Sequence, residues 1–259
     1  MLDKIPIVRI TEKTMRNDKD AVVVEFNLCI VLNNQELVTL ICSPEKLEFL
    51  AAGYLCSEGL IASKHDIINI TLDTTRRVIE VATRKSGKFT KDTTPRLTIA
   101  SSGGKGVWLR NADHAERKIN SQIEISPREV FTLMDDFIGR SDVYKATGGV
   151  HSAALCTTKK IILFSEDIGR HNAIDKVFGE CLLMDIPMDN RLLVTSGRVS
   201  SEIVLKVAKR NIPILISKSA PTHRGITLAE DLGITLIGFV RGKKMNLYSH
   251  TRRMANENS

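Results

Sequence analysis

Aromatic side chains make up only 5% of the 259 residues, and there is a single Trp. Little is therefore available to build the stacking platforms on which single-stranded nucleic acids are read, and no stretch interleaves aromatics with Lys and Arg. Cysteine is sparse too: Cys29, Cys42, Cys56, Cys156 and Cys181 are odd in number, far apart and form no C-x-x-C pair. That spacing excludes a disulfide framework and a cysteine-based zinc site, and predicts buried, reduced thiols. The motifs H-E-x-x-H, G-x-S-x-G and His-x-Glu with Pro-Cys-x-x-Cys are all absent, so no zinc and no covalent nucleophile are expected from spacing. No run of about 18 apolar residues occurs, and Met1-Leu2-Asp3-Lys4 lacks the basic-then-apolar layout of a signal peptide. The expectation is a globular cytoplasmic protein with no membrane association.

What is present is enough apolar material for a core: 42% of residues are hydrophobic and 26% charged, in a chain long enough for one large or two small domains. The net charge of +7 and a pI near 9.2 point to an anionic partner. Given the scarcity of aromatics, a phosphate-bearing small molecule is favoured over nucleic acid.

The first part reads as β-rich. Ala21 to Leu32 and Gln35 to Cys42 are β-branched apolar runs around Asn33-Asn34, a pair that tolerates the positive φ of a hairpin turn. Ser43-Pro44 predicts the cap and first turn of a helix carrying Leu47, Leu50, Ala51, Tyr54 and Leu55, with Gly59 near its end. Strands are expected around Ile67 to Leu72 and Arg77 to Thr83, then a solvated basic loop over residues 84 to 96. Ser101-Ser102-Gly103-Gly104-Lys105-Gly106 could approach a phosphate through its backbone N–H groups, or be a plain loop, because it departs from the G-x-x-x-x-G-K-[ST] spacing. Ser126-Pro127-Arg128-Glu129 has the layout of a capping box. We place a domain boundary just before it, giving an α+β domain over residues 1–125 and an α/β domain over 126–259.

From residue 143 strands alternate with helices, which predicts a three-layer α/β unit with parallel pairing. Three strands end in polar clusters: Asp167-Ile168-Gly169-Arg170-His171-Asn172, Thr195-Ser196-Gly197-Arg198, and Ser217-Lys218-Ser219. In an open parallel sheet these ends share one edge, where arginines, a lysine and helix N-termini suit a phosphate or pyrophosphate. His151 in Thr-Gly-Gly-Val-His-Ser152 is a further candidate, though a His after a turn can equally be structural. Asp167 could bind a base or ribose, or cap the following helix. Asp175 and Lys176 read as a solvated pair on that helix.

At these same positions the sequence resembles the formate dehydrogenase accessory protein family, FdhD. The resemblance rests on Gly53-Tyr54-Leu55-Cys56-Ser57-Glu58-Gly59, Thr147-Gly148-Gly149-Val150-His151, Asp167 to Lys176, Thr195-Ser196-Gly197-Arg198 and Gly238-Phe239-Val240-Arg241. It implies a cytidine-deaminase-like α/β/α C-terminal domain with a smaller β-containing N-terminal domain, and a homodimer. It also implies a sulfur carrier that takes sulfur from a cysteine desulfurase and passes it to the molybdenum bis(molybdopterin guanine dinucleotide) cofactor of formate dehydrogenase. A guanine nucleotide would serve as a surrogate ligand. The cofactor-binding segment near the C-terminus matches Phe239-Val240-Arg241-Gly242-Lys243-Lys244, and the other site candidates are His151, Ser152, Asp167, Arg170, His171, Asn172, Ser196, Arg198, Ser217 and Lys218. The family's persulfide motif, Ser-Ser-Cys-Gly-x-Cys-Gly, falls on Ser101 to Val107, where both cysteine positions are glycine, Gly103 and Gly106. Glycine cannot carry a persulfide. Either the loop only gates the cofactor, or another thiol such as Cys56 substitutes, or the protein is a cofactor-binding chaperone without sulfurtransferase activity.

Overall fold

The computed structural model describes residues 1–84 and 118–255, together with the backbone of two short strands between them, β7 (Arg96–Ile99) and β8 (Lys105–Trp108). The remaining residues of the basic loop, and Gly103 in the glycine loop, lie outside the described residues. Gly106 falls within β8, which pairs antiparallel with β7.

The chain opens with a two-stranded ribbon that the sequence reading missed, β1 (Leu2–Ile10) against β2 (Met15–Val23). A four-stranded sheet follows in the order β4-β3-β6-β5, from β3 (Phe26–Leu32), β4 (Gln35–Cys42), β5 (Ile67–Asp73) and β6 (Val78–Thr83). Asn33 and Asn34 sit at φ 50° and 64° in the β3–β4 turn, the left-handed geometry a two-residue hairpin requires. The expected strand Ala21 to Leu32 is broken between Val23 and Phe26, so it contributes to two different sheets. Helix α1 (Leu47–Ser57) covers the four-stranded sheet. It starts later than expected: Lys46, at φ 55°, precedes its first residue, so Pro44 lies ahead of the helix and not in its first turn.

The second half is a six-stranded sheet of order β10-β9-β11-β12-β13-β14. Its strands are β9 (His151–Cys156), β10 (Ile161–Asp167), β11 (Leu192–Thr195), β12 (Ile214–Ser217), β13 (Thr235–Arg241) and β14 (Lys244–Ser249). β11, β12 and β13 are parallel as expected. β9, however, is antiparallel to both β10 and β11 and lies between them. The expectation of continuous parallel pairing is corrected to a mixed sheet in which β10 to β13 still run the same way.

Alternation along the strands sorts the core into two faces. Ala153, Leu155, Leu193, Leu215 and Leu236 pack under α4 (Arg170–Leu183), α5 (Ser201–Ala208) and α6 (His223–Leu232). Ala154, Cys156, Leu192, Val194, Ile214 and Ile216 pack against α2 (Pro127–Arg140). The layers are therefore α/β/α. Helix α2 is capped as its sequence requires, with Ser126 Oγ accepting from Glu129 N and the Glu129 carboxylate accepting from Ser126 N at 2.8 Å. A short helix, α3 (Asp142–Thr147), leads into β9 and ends on Gly148 at φ 67°.

The two halves meet along α1 and α4, which cross at two glycines. A Cβ on Gly53 would lie 1.8 Å from Asp175 O, and one on Gly179 would lie 1.8 Å from Phe49 O, so only glycine permits this approach. Polar bonds reinforce the seam. Lys46 Nζ donates to Phe164 O at 2.9 Å and pairs with Glu180 at 2.6 Å. Ser43 N donates to Asp167 Oδ2 at 3.0 Å, and Ile168 N donates to Ser43 Oγ at 3.2 Å.

Candidate functional site

A cavity of about 410 Å³ opens at the edge where β10, β11, β12 and β13 end. Because β9 runs against its neighbours, it is the start of β9 that reaches this edge, and His151 and Ser152 line the cavity with Ser196, Lys218, Ser219 and Arg241. The other wall comes from the end of α2 and from α3, with Phe137, Ile138, Ser141 and Tyr144, and Gly148, Gly149, Val150 and Ile168 complete the lining.

The strand ends are fastened to one another through the backbone. Ser196 N donates to Ser152 O at 3.0 Å, Lys218 N to Thr195 O at 3.0 Å, and Ser219 Oγ to Ser196 O at 2.8 Å. Arg241 Nε donates to Lys218 O at 3.1 Å, and its guanidinium stacks 5.8 Å from the Phe239 ring centre. The Lys218 ammonium lies 5.2 Å from the ring centre of the exposed Tyr144, a cation–π distance. Among the described residues neither Lys218 nor Arg241 pairs with an acid. The rim is thus cationic over a floor of Phe137, Ile138, Val150 and Ile168.

Deeper in, the Ser141 and Ser152 hydroxyls are 2.9 Å apart, and Ser152 Oγ donates to Glu166 Oε1 at 3.4 Å. Glu166 also accepts the N–H groups of Val143 and Tyr144 at 3.4 and 3.3 Å, so its carboxylate holds the start of α3 in place. Burial raises the Glu166 pKa, and these bonds oppose the rise. His151 has the opposite shift: burial, then the positive charges of Arg170 and Arg198, push it below its usual value. Its imidazole is neutral at pH 7, with Nδ1 3.4 Å from Ser196 Oγ.

The structure separates the sequence-derived candidates into groups. His151, Ser152, Ser196, Lys218 and Arg241 come together in the cavity. Arg170, His171 and Arg198 gather outside its lining, at the starts of α4 and α5. Gly197 lets Arg170 fit there, since a Cβ at 197 would come within 2.8 Å of Arg170 Cβ. Burial, then Arg198, lowers the Arg170 pKa. His171 is pushed down to about 3 by burial and then by Lys206, Arg170 and His151, although Glu202 Oε2 is 3.3 Å from its Nε2. We read this imidazole as neutral, because its Nε2 forms no hydrogen bond of proper geometry with that carboxylate.

A third group is engaged within the protein. Asp167 is fully buried, pairs with Lys176 Nζ at 2.6 Å and accepts from Gly169 N and Asn172 Nδ2 at 2.8 and 3.0 Å. Asn172 also donates to Ile41 O at 2.9 Å. Ser217 is buried and donates to Gly197 O at 2.8 Å, and Val240 lies in the core. Phe239, at φ 53°, and Gly242, Lys243 and Lys244 are exposed at the β13–β14 hairpin outside the cavity lining. The solvated reading of Asp175 and Lys176 is corrected: both are buried, Lys176 on Asp167 and Asp175 between Ser57 Oγ, at 2.7 Å, and Lys206. Ser141, Tyr144 and Ser219 were not among the sequence candidates. Ser219 belonged to a polar cluster already noticed, but nothing in sequence marks Ser141 or Tyr144, which arrive from the opposite side of the sheet.

The four buried thiols offer little nucleophilic character. Burial pushes Cys42, Cys156 and Cys181 up to about 12. Cys56 is 1% exposed, and burial raises its pKa even though Arg210 Nη1 donates to its sulfur at 2.7 Å. Among the described residues no group of His, Cys, Asp and Glu is arranged to hold a metal ion, and no helix is long and apolar enough to cross a membrane.

Fold and site define a three-layer α/β protein with a cation-rimmed cavity at the carboxyl edge of its sheet. Comparison with known proteins is more specific. A model of the FdhD/NarQ family matches residues 23–255. The sulfur carrier protein FdhD of Bacillus subtilis is 42% identical over 261 residues, covering 98% of this chain and 99% of that protein. The protein of the same name in Bacillus pumilus is 42% identical over 238 residues, 91% of this chain and 90% of its own. A crystal structure from Desulfotalea psychrophila, assigned as a formate dehydrogenase accessory protein, has a TM-score of 0.78 at 24% identity, over 98% of this chain and 99% of that one, which shows a shared fold. This chain belongs to the FdhD/NarQ family.

Proposed function

We propose that the cavity binds the guanine nucleotide end of the molybdenum bis(molybdopterin guanine dinucleotide) cofactor, and that the protein serves as an accessory factor for formate dehydrogenase. The observation that carries this reading is the convergence of Lys218 and Arg241, without acidic partners among the described residues, on one rim of a cavity with an apolar floor and several serine hydroxyls. Its 410 Å³ fall within the range of small-molecule sites and suit one nucleotide moiety better than the whole two-pterin cofactor. The cations would face the pyrophosphate, and Ser152, Ser196 and Ser219 would offer neutral polar groups beside it. The cofactor's metal centre would supply redox chemistry in the enzyme that receives it, and this chain's residues would bind and orient the nucleotide end.

The relatives are named sulfur carriers, but Gly103 and Gly106 have no thiol, and four of the five cysteines are buried with raised pKa values. These observations favour cofactor binding without a persulfide carried on this chain.

Calorimetric titration with guanosine diphosphate tests the binding. Charge-assisted contacts of about 1.5–3 kcal/mol imply that Lys218→Ala and Arg241→Ala each weaken affinity about tenfold or more. Arg76→Ala, on an exposed turn, leaves it unchanged. Equal affinity in all three would remove the placement. Incubation with a cysteine desulfurase and sulfur-labelled cysteine tests the second part: no label is retained, and label on Cys56 would restore the relay.

A further inference from the structure

Across the cavity from the cations stands one aromatic ring that an anion alone does not use. Tyr144 lines the cavity yet is 41% exposed, so it adds little to the core. Its backbone is nevertheless held on both sides: its N–H donates to Glu166 Oε1 at 3.3 Å, and its carbonyl accepts from the Gly148 N–H at 2.7 Å. Glu166 also accepts the Val143 N–H at 3.4 Å, and Ser152 Oγ ties it to the start of β9. The ring is therefore presented to the cavity from a fixed point on α3.

A charge sits on that ring. The Lys218 ammonium lies 5.2 Å from its centre, reaching across from the β12 exit. There the Lys218 N–H donates to Thr195 O at 3.0 Å and its carbonyl accepts from Arg241 Nε at 3.1 Å, so the side chain can swing while the main chain stays in place. A cation–π contact open to solvent is worth only about two- to fivefold in an equilibrium, and a charge-assisted bond to a phosphate oxygen is stronger. A bound phosphate thus draws the ammonium off the ring and bares an aromatic face inside a cavity of nucleotide size.

We propose that Tyr144 is the stacking platform for the base of the bound nucleotide, and that its contact with Lys218 is a latch across the cavity, opened when the diphosphate takes the ammonium. This rests on the reading of the cavity as a nucleotide site and adds what holds the base. A nucleotide breaks the latch and covers the ring again, whereas bare pyrophosphate breaks the latch and leaves the ring open to water. One ring is enough for one base, which agrees with the scarcity of aromatics in the chain. Because every base has a π-face, the ring selects for a planar base and not for guanine in particular.

Calorimetric titration of the full chain with guanosine diphosphate and with inorganic pyrophosphate tests this, because the two ligands should respond in opposite directions. Tyr144→Leu weakens guanosine diphosphate by about fivefold or more, through loss of the stack. The same change tightens pyrophosphate by about two- to fivefold, since no latch has to be broken. Tyr144→Phe, which keeps the ring, restores both. In a Lys218→Ala background Tyr144→Leu no longer changes pyrophosphate affinity but still weakens the nucleotide, which separates the latch from the stack. Circular dichroism confirms that each variant is folded. Tyr144→Leu shifting both ligands by the same factor, or neither, would overturn the proposal and leave the cavity as a phosphate site. Nucleotide binding indifferent to Lys218→Ala and Arg241→Ala would instead remove the cavity reading, and the proposal with it.

Discussion

Replacing Asp167 with Asn separates a structural role for this carboxylate from a ligand-binding one. Asp167 and Lys176 are both fully buried and 2.6 Å apart. The carboxylate oxygens also accept from Ser43 N, Gly169 N and Asn172 Nδ2 at 3.0, 2.8 and 3.0 Å. An amide has one acceptor oxygen where the carboxylate had two, and it would turn an NH₂ toward existing donors. Lys176 would keep its charge with only the Ser43 and Glu166 carbonyls, at 3.2 and 3.3 Å, to stabilise it. Removing one partner of a buried pair costs about 3–5 kcal/mol. At roughly 2–4 °C per kcal/mol for a chain of this size, the melting temperature should fall by about 6–20 °C. Thermal melts read this directly, and calorimetry with guanosine diphosphate, well below the variant's melting point, should give wild-type affinity. Adding Lys176→Met to Asp167→Asn should recover part of the loss, because the orphaned charge is gone. A melting temperature within about 2 °C of wild type together with weakened nucleotide binding would refute the reasoning and make Asp167 a ligand-contacting group.

The remaining expectations concern the helix seam and pH. Gly53→Ala places a Cβ where Asp175 O already stands, so α1 and α4 must separate; a cost at or above the usual 1–3 kcal/mol of overpacking is expected in urea midpoints, and a neutral result would mean that the helices do not cross so closely. His171, held down to about 3 by burial, binds its proton in the unfolded chain first. Stability should therefore be full above the ordinary histidine value of about 6.5 and decline as pH falls toward 3, by at most about 1.4 kcal/mol per pH unit from this group. Urea midpoints of wild type and His171→Gln between pH 7 and 5 check it; parallel slopes would show that His171 contributes nothing.

Where local chemistry decides the structure, the sequence was legible. Asn33-Asn34 forced a hairpin, Ser126 and Glu129 capped a helix, and the polar residues after β10, β11 and β12 marked one edge of a sheet. What escaped depends on distant partners. Lys176 looks like a surface lysine until Ser43, 133 positions away, and Asp167 close around it. The ribbon β1–β2 carries charges and apolar residues on both faces, because most of its length is exposed and only the end of β2 meets the body. β9 reads as His-Ser-Ala-Ala-Leu-Cys, buried on both faces, so it has no alternation by which to recognise a half-exposed strand.

That unrecognised strand is the reason a cavity forms at all. The parallel strand ends alone would bring Ser196, Lys218 and Arg241 to one edge as an open shelf. β9, inserted in the opposite sense, carries the chain from α2 and α3 to the same edge, so Tyr144 and Ser141 stand across from the cations. Ser196 then becomes the pivot. Its N–H donates to Ser152 O, its carbonyl accepts from Ser219 Oγ, and its hydroxyl accepts from Ser152 N at 2.9 Å. These bonds tie β9, β11 and the β12 exit into one unit, and Arg241 joins through Lys218 O. The strand ends that carry the two cations are thus fastened by backbone geometry, and among the described residues no acid stands between them.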